Sequence, residues 1–243
     1  MTPARLSKIK QVLSQRQPDL TVITDHVHKG RNLSAIVRTC DAAGIQDITA
    51  VIEENESYRA FLRAAMGSHQ WVDVHKQVGL QTAIDQKKQQ GFQVVAAHPG
   101  DGAKDFREID YTKPTAILLG GELVGVSGEG LQLADELVVI PMMGMVASLN
   151  VSVAAAIILT EVQQQRQQAG LYEGPRIPNK QYEELLFRWG YPRLAKFCQQ
   201  RHIPYPKLND DGDIIDTDQW RAAVDKSAAK TAARRRRRNA ALI

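Results

Sequence analysis

Cysteine is scarce in this chain: Cys40 and Cys198 alone stand among 243 residues, and neither sits in a Cys-x-x-Cys pair. The spacing of a zinc site or a redox motif is therefore absent, and the plain reading is two reduced thiols. No stretch approaches the ~18 consecutive apolar residues of a membrane span. Residues 1–17 are polar and lack the apolar core of a signal peptide, so a cytoplasmic protein is expected, with no membrane partner. The first β-rich run is followed by Asp25-His26-Val27-His28-Lys29-Gly30-Arg31, which is not the G-x-G-x-x-G of a dinucleotide fold. A P-loop and a Gly-x-Ser-x-Gly elbow are missing too. His26 and His28 would share one side of a strand that ran that far, but no third ligand lies near them. His69, His75 and His98 are isolated in sequence, and no metal is expected.

At 24% charged residues the composition is that of a globular protein rather than a disordered chain. The charge is unevenly placed. The net value is +4, yet residues 226–243 carry seven basic side chains (Lys226, Lys230 and Arg234 to Arg238) and no acid. Residues 1–20 hold four bases against Asp19, so the stretch between the two ends stands at −6. Basic ends on an acidic body suggest arms that hold a polyanion, although an arginine run is equally a solvated tail.

Short apolar runs alternate with helical patterns. Leu6, Ile9 and Leu13 predict a helix over 3–16, stopped at Gln17-Pro18-Asp19. Strands are expected at 20–24, 45–52, 71–75, 93–97, 115–119 and 137–140. Helices are expected at 32–43, 81–90 and 151–166, the first capped by Asn32 or Ser34 and closed by Gly44. Such alternation argues for an α/β fold, a mostly parallel sheet with helices on both faces. Gly174-Pro175 and Pro178 end that domain. A helical stretch follows at 180–199, interrupted near Gly190-Tyr191-Pro192, and a last helix holds Trp220 to Val224 with Thr217 as its cap. The expected organisation is a basic N-terminal helix over 1–18, an α/β domain over 19–170, a helical extension over 171–225 and a basic, disordered tail over 226–243.

Three segments stand out as chemistry. In the helix after the first strand, Asn32 and Arg38 lie roughly 9 Å apart along the axis. Arg38 follows an Ala-Ile-Val run, where either a structural salt bridge or a phosphate clamp would account for it. The strand 115–119 ends in Gly120-Gly121-Glu122, with Gly125 beyond; strand C-termini of parallel sheets are where ligands bind, and glycines let a ligand approach the backbone. The strand 137–140 ends in Pro141-Met142, a loop follows, and Ser148-Leu149-Asn150 opens a helix whose residues Val151, Ala155, Ile158 and Val162 form an apolar stripe.

Taken in order, Asn32…Arg38-Thr39, Leu119-Gly120-Gly121-Glu122…Gly125 and Ile140-Pro141-Met142…Ser148-Leu149-Asn150-Val151-Ser152-Val153-Ala154 resemble the three motifs of the SPOUT methyltransferases, SpoU branch. The flanks Arg16-Gln17-Pro18-Asp19, residues 105–112, Gly190 to Lys196 and Pro204-Tyr205-Pro206 resemble the tRNA (guanosine-18) ribose 2′-O-methyltransferases of that branch. The resemblance covers residues 1 to about 225. It implies a deep trefoil knot in the C-terminal half of the α/β domain, S-adenosylmethionine as cofactor, a tRNA substrate and a homodimer packed partly through the 151–162 stripe. By position, it implies that Ala97, Gly120, Ile140 and Leu149 line the cofactor site. It makes Arg38 catalytic, with Asn32, Asn150, Glu122 and Ser148 around it, Glu122 orienting Asn32 or the site backbone. Methyl transfer needs no metal. Arg5, Lys8, Arg16 and Arg166 are candidate phosphate contacts, with Arg188, Arg193 and Lys196 beside them. The alternatives are a ribosomal-RNA methyltransferase of the same branch, a non-catalytic RNA-binding protein of the same fold, and a nicotinamide oxidoreductase; the missing fingerprint disfavours the last.

Overall fold

The apolar runs at 20–25, 93–97 and 115–120 form the centre of a parallel sheet in the computed structural model. The structure describes residues 1–52, 70–122, 124–215, 218 and 220–226. His69, the expected cap Thr217 and the basic stretch 227–243 lie outside the described residues. Two units are distinguished, residues 15–176 and a second built from residues 1–14 with the described residues from 177 on.

In the larger unit the strands are β1 (Leu20–Asp25), β2 (Asp47–Val51), β3 (Asp73–Gln77), β4 (Gln93–Ala97), β5 (Lys104–Asp105), β6 (Thr115–Gly120) and β7 (Glu136–Val139). They lie in the order β3-β2-β1-β6-β4-β7-β5, every pair parallel. The central strands are near-continuous aliphatic runs because both of their faces are covered. Within β6, Ile117 and Leu119 point into one core, with α2 (Gly30–Ala42) and α5 (Val151–Gln168); Ala116 and Leu118 point into the other, with α3 (Leu80–Gln89). Register sets the strand ends side by side: Asp25 pairs with Gly120, and Ala97 with both Leu119 and Val138.

Three local expectations are corrected. The first helix after β1 starts at Gly30 with Lys29 as its N-cap, and neither Asn32 nor Ser34 caps it. The Asn32 amide is used elsewhere, and the Ser34 hydroxyl donates to Gly30 O at 2.6 Å. β1 ends at Asp25, so His26 and His28 do not share a strand face; His26 turns into the left-handed region at φ 53°. β3 is shifted two residues to 73–77 and carries only partly buried or exposed side chains, as an edge strand does. β5 and the short helix α4 (Gly128–Leu133), capped by Ser127, were too brief for periodicity to reveal.

Two of the four candidate phosphate contacts are also corrected. Arg16 and Arg166 are both 0% exposed. Arg166 Nε donates to Tyr111 O, Nη1 to Gln17 Oε1 and Asp19 Oδ1, and Nη2 to Asp19 O and Lys113 O, at 2.7–3.1 Å. All five guanidinium N–H groups are thereby used. Arg16 donates to Ile45 O at 2.8 Å and to Asp41 Oδ1 at 2.6 Å. Both arginines satisfy backbone carbonyls at the N-terminal edge of the sheet and have no face for an RNA phosphate. Arg176 joins the Arg166 cluster through both oxygens of Asp19, at 2.7 and 2.8 Å.

The smaller unit holds α1 (Pro3–Ser14), α6 (Asn179–Gly190) and α7 (Pro192–Arg201). Leu6, Ile9 and Leu13 are the buried residues of α1, as their spacing predicts. The interruption falls at Tyr191, and Pro192 begins α7 at the position where its missing N–H costs nothing. Arg5 and Lys8 are exposed here; Arg5 Nη2 reaches Trp189 O at 2.9 Å and Lys8 Nζ reaches Gln11 Oε1 at 3.2 Å.

Candidate active site at the strand C-termini

The C-terminal ends of β4, β6 and β7 open onto a cavity of about 140 Å3. Ala97, Gly120, Ile140 and Leu149, drawn from four separate stretches, all line it. The loop 142–149 and the start of α5 complete the wall with Met142, Ala147, Ser148 and Val151. Most of the lining is aliphatic or backbone; the polar side chains are His98, Glu122 and Ser148.

The glycines of the second motif line the cavity, and two of them are also required by the path of the chain itself. A Cβ on Gly120 would lie 1.9 Å from Gly125 C and 2.0 Å from Val126 N, and one on Gly121 would lie 2.6 Å from His26 O. These two positions are glycine because the chain returns across itself. Gly125 N donates to Gly121 O at 2.9 Å, and Gly125 sits at φ +74°, a conformation that favours glycine. The returning loop is pinned from beneath by Asp25, 1% exposed, which accepts from Ser127 N at 2.7 Å and bonds His26 Nδ1 at 2.6 Å.

Alongside the cavity runs a chain of polar side chains. Glu122 accepts from Asn32 Nδ2, as expected of a carboxylate that orients this amide. Asn32 Oδ1 accepts from Asn150 Nδ2 at 3.2 Å, and Asn150 Oδ1 accepts from Ser152 N at 2.9 Å and Ser152 Oγ at 2.7 Å. Asn150 thus caps α5 and holds Asn32 at once. Two bonds that span 90 and 118 residues, both to Asn32, close the three motifs into one hydrogen-bonded line.

Arg38 is exposed, and no hydrogen bond or ion pair ties it to another side chain among the described residues. It does not line the cavity. Ser148 does, and is exposed there. Val151, Ala155, Ile158 and Val162 of α5 do not form a free face: the last three are buried in the core against the sheet and α2. Their helix instead exposes Val153, and the loop before it exposes Met143, Met145 and Val146. Both cysteines are free and buried, and burial pushes the thiol of each above its ordinary value, that of Cys40 furthest. Among the described residues no group of three or more His, Cys, Asp or Glu is placed to hold a metal ion, and no helix is long and apolar enough to cross a membrane.

Asp25 and His98 were missed by the sequence reading. An acid at the last position of a central strand was the available signal for Asp25. His98, read as isolated, follows β4 directly and so lands on the cavity wall.

A parallel sheet whose adjacent strand ends enclose a mostly apolar, backbone-walled cavity, flanked by a carboxylate–amide line, defines an α/β protein built to hold a small organic ligand at its strand C-termini. Comparison with known proteins narrows that class: residues 19–160 match the SpoU rRNA Methylase family and residues 164–217 the SpoU rRNA methylase C-terminal family. The chain belongs to the SpoU methylase family. It is 48% identical over 225 residues to the tRNA (guanosine(18)-2'-O)-methyltransferase of Escherichia coli K12, covering 90% of this chain and 97% of that one. The crystal structure of the A. aeolicus TrmH/SpoU tRNA modifying enzyme superposes with a TM-score of 0.73 at 41% identity, covering 79% of this chain and 97% of that one. The AdoMet-bound rRNA methyltransferase from Sinorhizobium meliloti is similar at 33% identity and a TM-score of 0.56, covering 63% and 59%.

Proposed function

We propose that this protein transfers a methyl group from S-adenosylmethionine to the ribose 2′-hydroxyl of guanosine 18 in tRNA. The observation that carries the reading is the convergence of Ala97, Gly120, Ile140 and Leu149 on one cavity beside the Glu122–Asn32–Asn150 line. The relatives named for this reaction, similar over nearly their whole length, support the choice of substrate.

The cavity suits the cofactor: aliphatic walls take an adenosyl group, strand-end backbone offers fixed hydrogen-bonding groups, and an orphaned imidazole nitrogen at His98 awaits a partner. Bound there, S-adenosylmethionine supplies an electrophilic sulfonium methyl. Ala97, Gly120, Ile140 and Leu149 hold it, and the aliphatic walls keep water from the reacting centre. Asn32, locked by Glu122 and Asn150, is the amide that positions the target ribose. Arg38, exposed at the surface, grips the phosphate beside that ribose and stabilises the negative charge that grows on the 2′-oxygen. An arginine is always protonated, so the hydroxyl proton passes to the RNA phosphate that Arg38 binds, or to a water beside it, and not to Arg38. Ser148, on the cavity rim, stands as a second polar contact.

In the same proposal the chain passes through a trefoil knot in the C-terminal half of residues 19–170, and the enzyme is a cytoplasmic homodimer. The exposed apolar group Met143, Met145, Val146 and Val153 supports the dimer. Residues 1–18, 171–225 and the basic tail 226–243 serve the RNA, with Arg5 and Lys8 as phosphate contacts.

The test is methylation of a tRNA transcript by purified protein with S-adenosylmethionine. Product is expected at guanosine 18 and none on a transcript carrying 2′-deoxyguanosine there. Arg38→Ala is expected to lower turnover ~10²-fold or more while melting temperature and cofactor binding hold. A fully active Arg38→Ala would refute its role.

A further inference from the structure

His98 follows β4 directly and lines the cavity. Its backbone N–H is spent on Val138 O at 3.0 Å, which fixes the residue against β7. Its ring sits between two glycines from different loops: a Cβ on Gly100 would lie 3.2 Å from His98 Cδ2, and one on Gly125 would lie 3.5 Å from Nδ1. The imidazole therefore occupies a seat kept clear of side chains on both sides. Nδ1 is buried and has no hydrogen-bond partner among the described residues. A buried, unpaired ring nitrogen costs free energy, and native proteins rarely leave one without use. Of the other polar side chains on the wall, Glu122 is already committed to Asn32.

We infer that His98 is the side chain that recognises the ribose hydroxyls of the cofactor, and so selects an adenosyl ligand in this cavity. This rests on the proposed use of S-adenosylmethionine. The chemistry favours the sugar over the amino-acid end. An imidazole nitrogen accepts or donates according to its tautomer, and a hydroxyl answers either role, whereas a carboxylate only accepts and an ammonium only donates.

The experiment measures binding by calorimetry, without RNA or turnover. The ligands are S-adenosylhomocysteine and 5′-methylthioadenosine, which keeps the ribose and lacks the amino-acid end. The proteins are the wild type, His98→Phe, which fills the seat without a nitrogen, and His98→Asn, which returns a hydrogen-bonding group near Nδ1. His98→Phe is expected to bind both ligands roughly five- to tenfold more weakly, with His98→Asn recovering most of the loss and melting temperatures unchanged. A loss confined to S-adenosylhomocysteine would move His98 to the amino-acid end and overturn the assignment. Unchanged binding of both ligands, or a loss that His98→Asn does not recover, overturns it as well. Failure of the wild type to bind either ligand would instead sink the cofactor reading beneath it.

Discussion

Asp19 shows how single residues of this protein divide their work. Its carboxylate receives Arg166 and Arg176. Burial opposes its ionisation, but the hydrogen bonds from Arg176 and Arg166 outweigh that and hold its pKa below the ordinary carboxylate value. A pKa lower in the folded than in the unfolded state stabilises above the unfolded value and loses that benefit as pH falls through the folded one. Acid unfolding should therefore draw on Asp19 below about pH 4. Asp19→Asn is expected to cost roughly 3–5 kcal/mol at neutral pH, because it leaves a buried arginine without its counter-charge. Urea denaturation at pH 7 and pH 3 checks this: the gap between wild type and variant should narrow at the lower pH, and a constant gap would contradict it. The residue types at this scale were legible, their environments were not. Arg16, Arg166 and Arg38 look alike in sequence, yet two are sealed inside and one faces solvent, since spacing cannot say which carbonyls a fold will bring within reach. Asn32 and Glu122 were legible as a pair only through resemblance; nothing in their separation foretells the bond.

The motif-two turn is where an element decides the site. The chain returns so close over Gly120 that no Cβ fits against the backbone of residues 125–126. Gly120→Ala should therefore shift backbone, not a flexible side chain, costing about 1–3 kcal/mol or more and abolishing binding of S-adenosylhomocysteine. Gly128→Ala, with open space around its Cβ position, is the control, expected within about 0.5 kcal/mol of wild type. Melting curves and calorimetry on the two variants separate the outcomes, and a normal Gly120→Ala would deny the close crossing. Central elements were readable because β1, β4 and β6 are buried on both faces and their aliphatic runs say so. β3 and β5, at the sheet edges, and α4, six residues long, lack the pattern that burial writes. The α5 stripe was legible as apolar but its neighbour was not, because a helix buried on its own sheet and one buried on a partner carry the same period.

Over the molecule as a whole, charge separates the ends of the chain from its acidic middle. Arg5 and Lys8 remain as exposed cations of the N-terminal helix, and each proposed phosphate contact should contribute about one unit to the salt dependence of tRNA binding. Arg5→Ala combined with Lys8→Ala should flatten the plot of log affinity against log salt by about two units and weaken binding at low salt. An unchanged slope would place the RNA elsewhere. The one-dimensional pattern alone determined the α/β class, the central strands, the main helices and the order of the three motifs, because aliphatic periodicity is a local record of burial. Only the tertiary structure decided which arginines are structural, that Gly120 and Gly121 serve a backbone crossing, and that Asp25 and His98 belong beside the cavity. Those facts depend on which groups the fold brings together, from the neighbouring turn at 125–126 to carboxylates almost 150 residues away, and no local period carries that information.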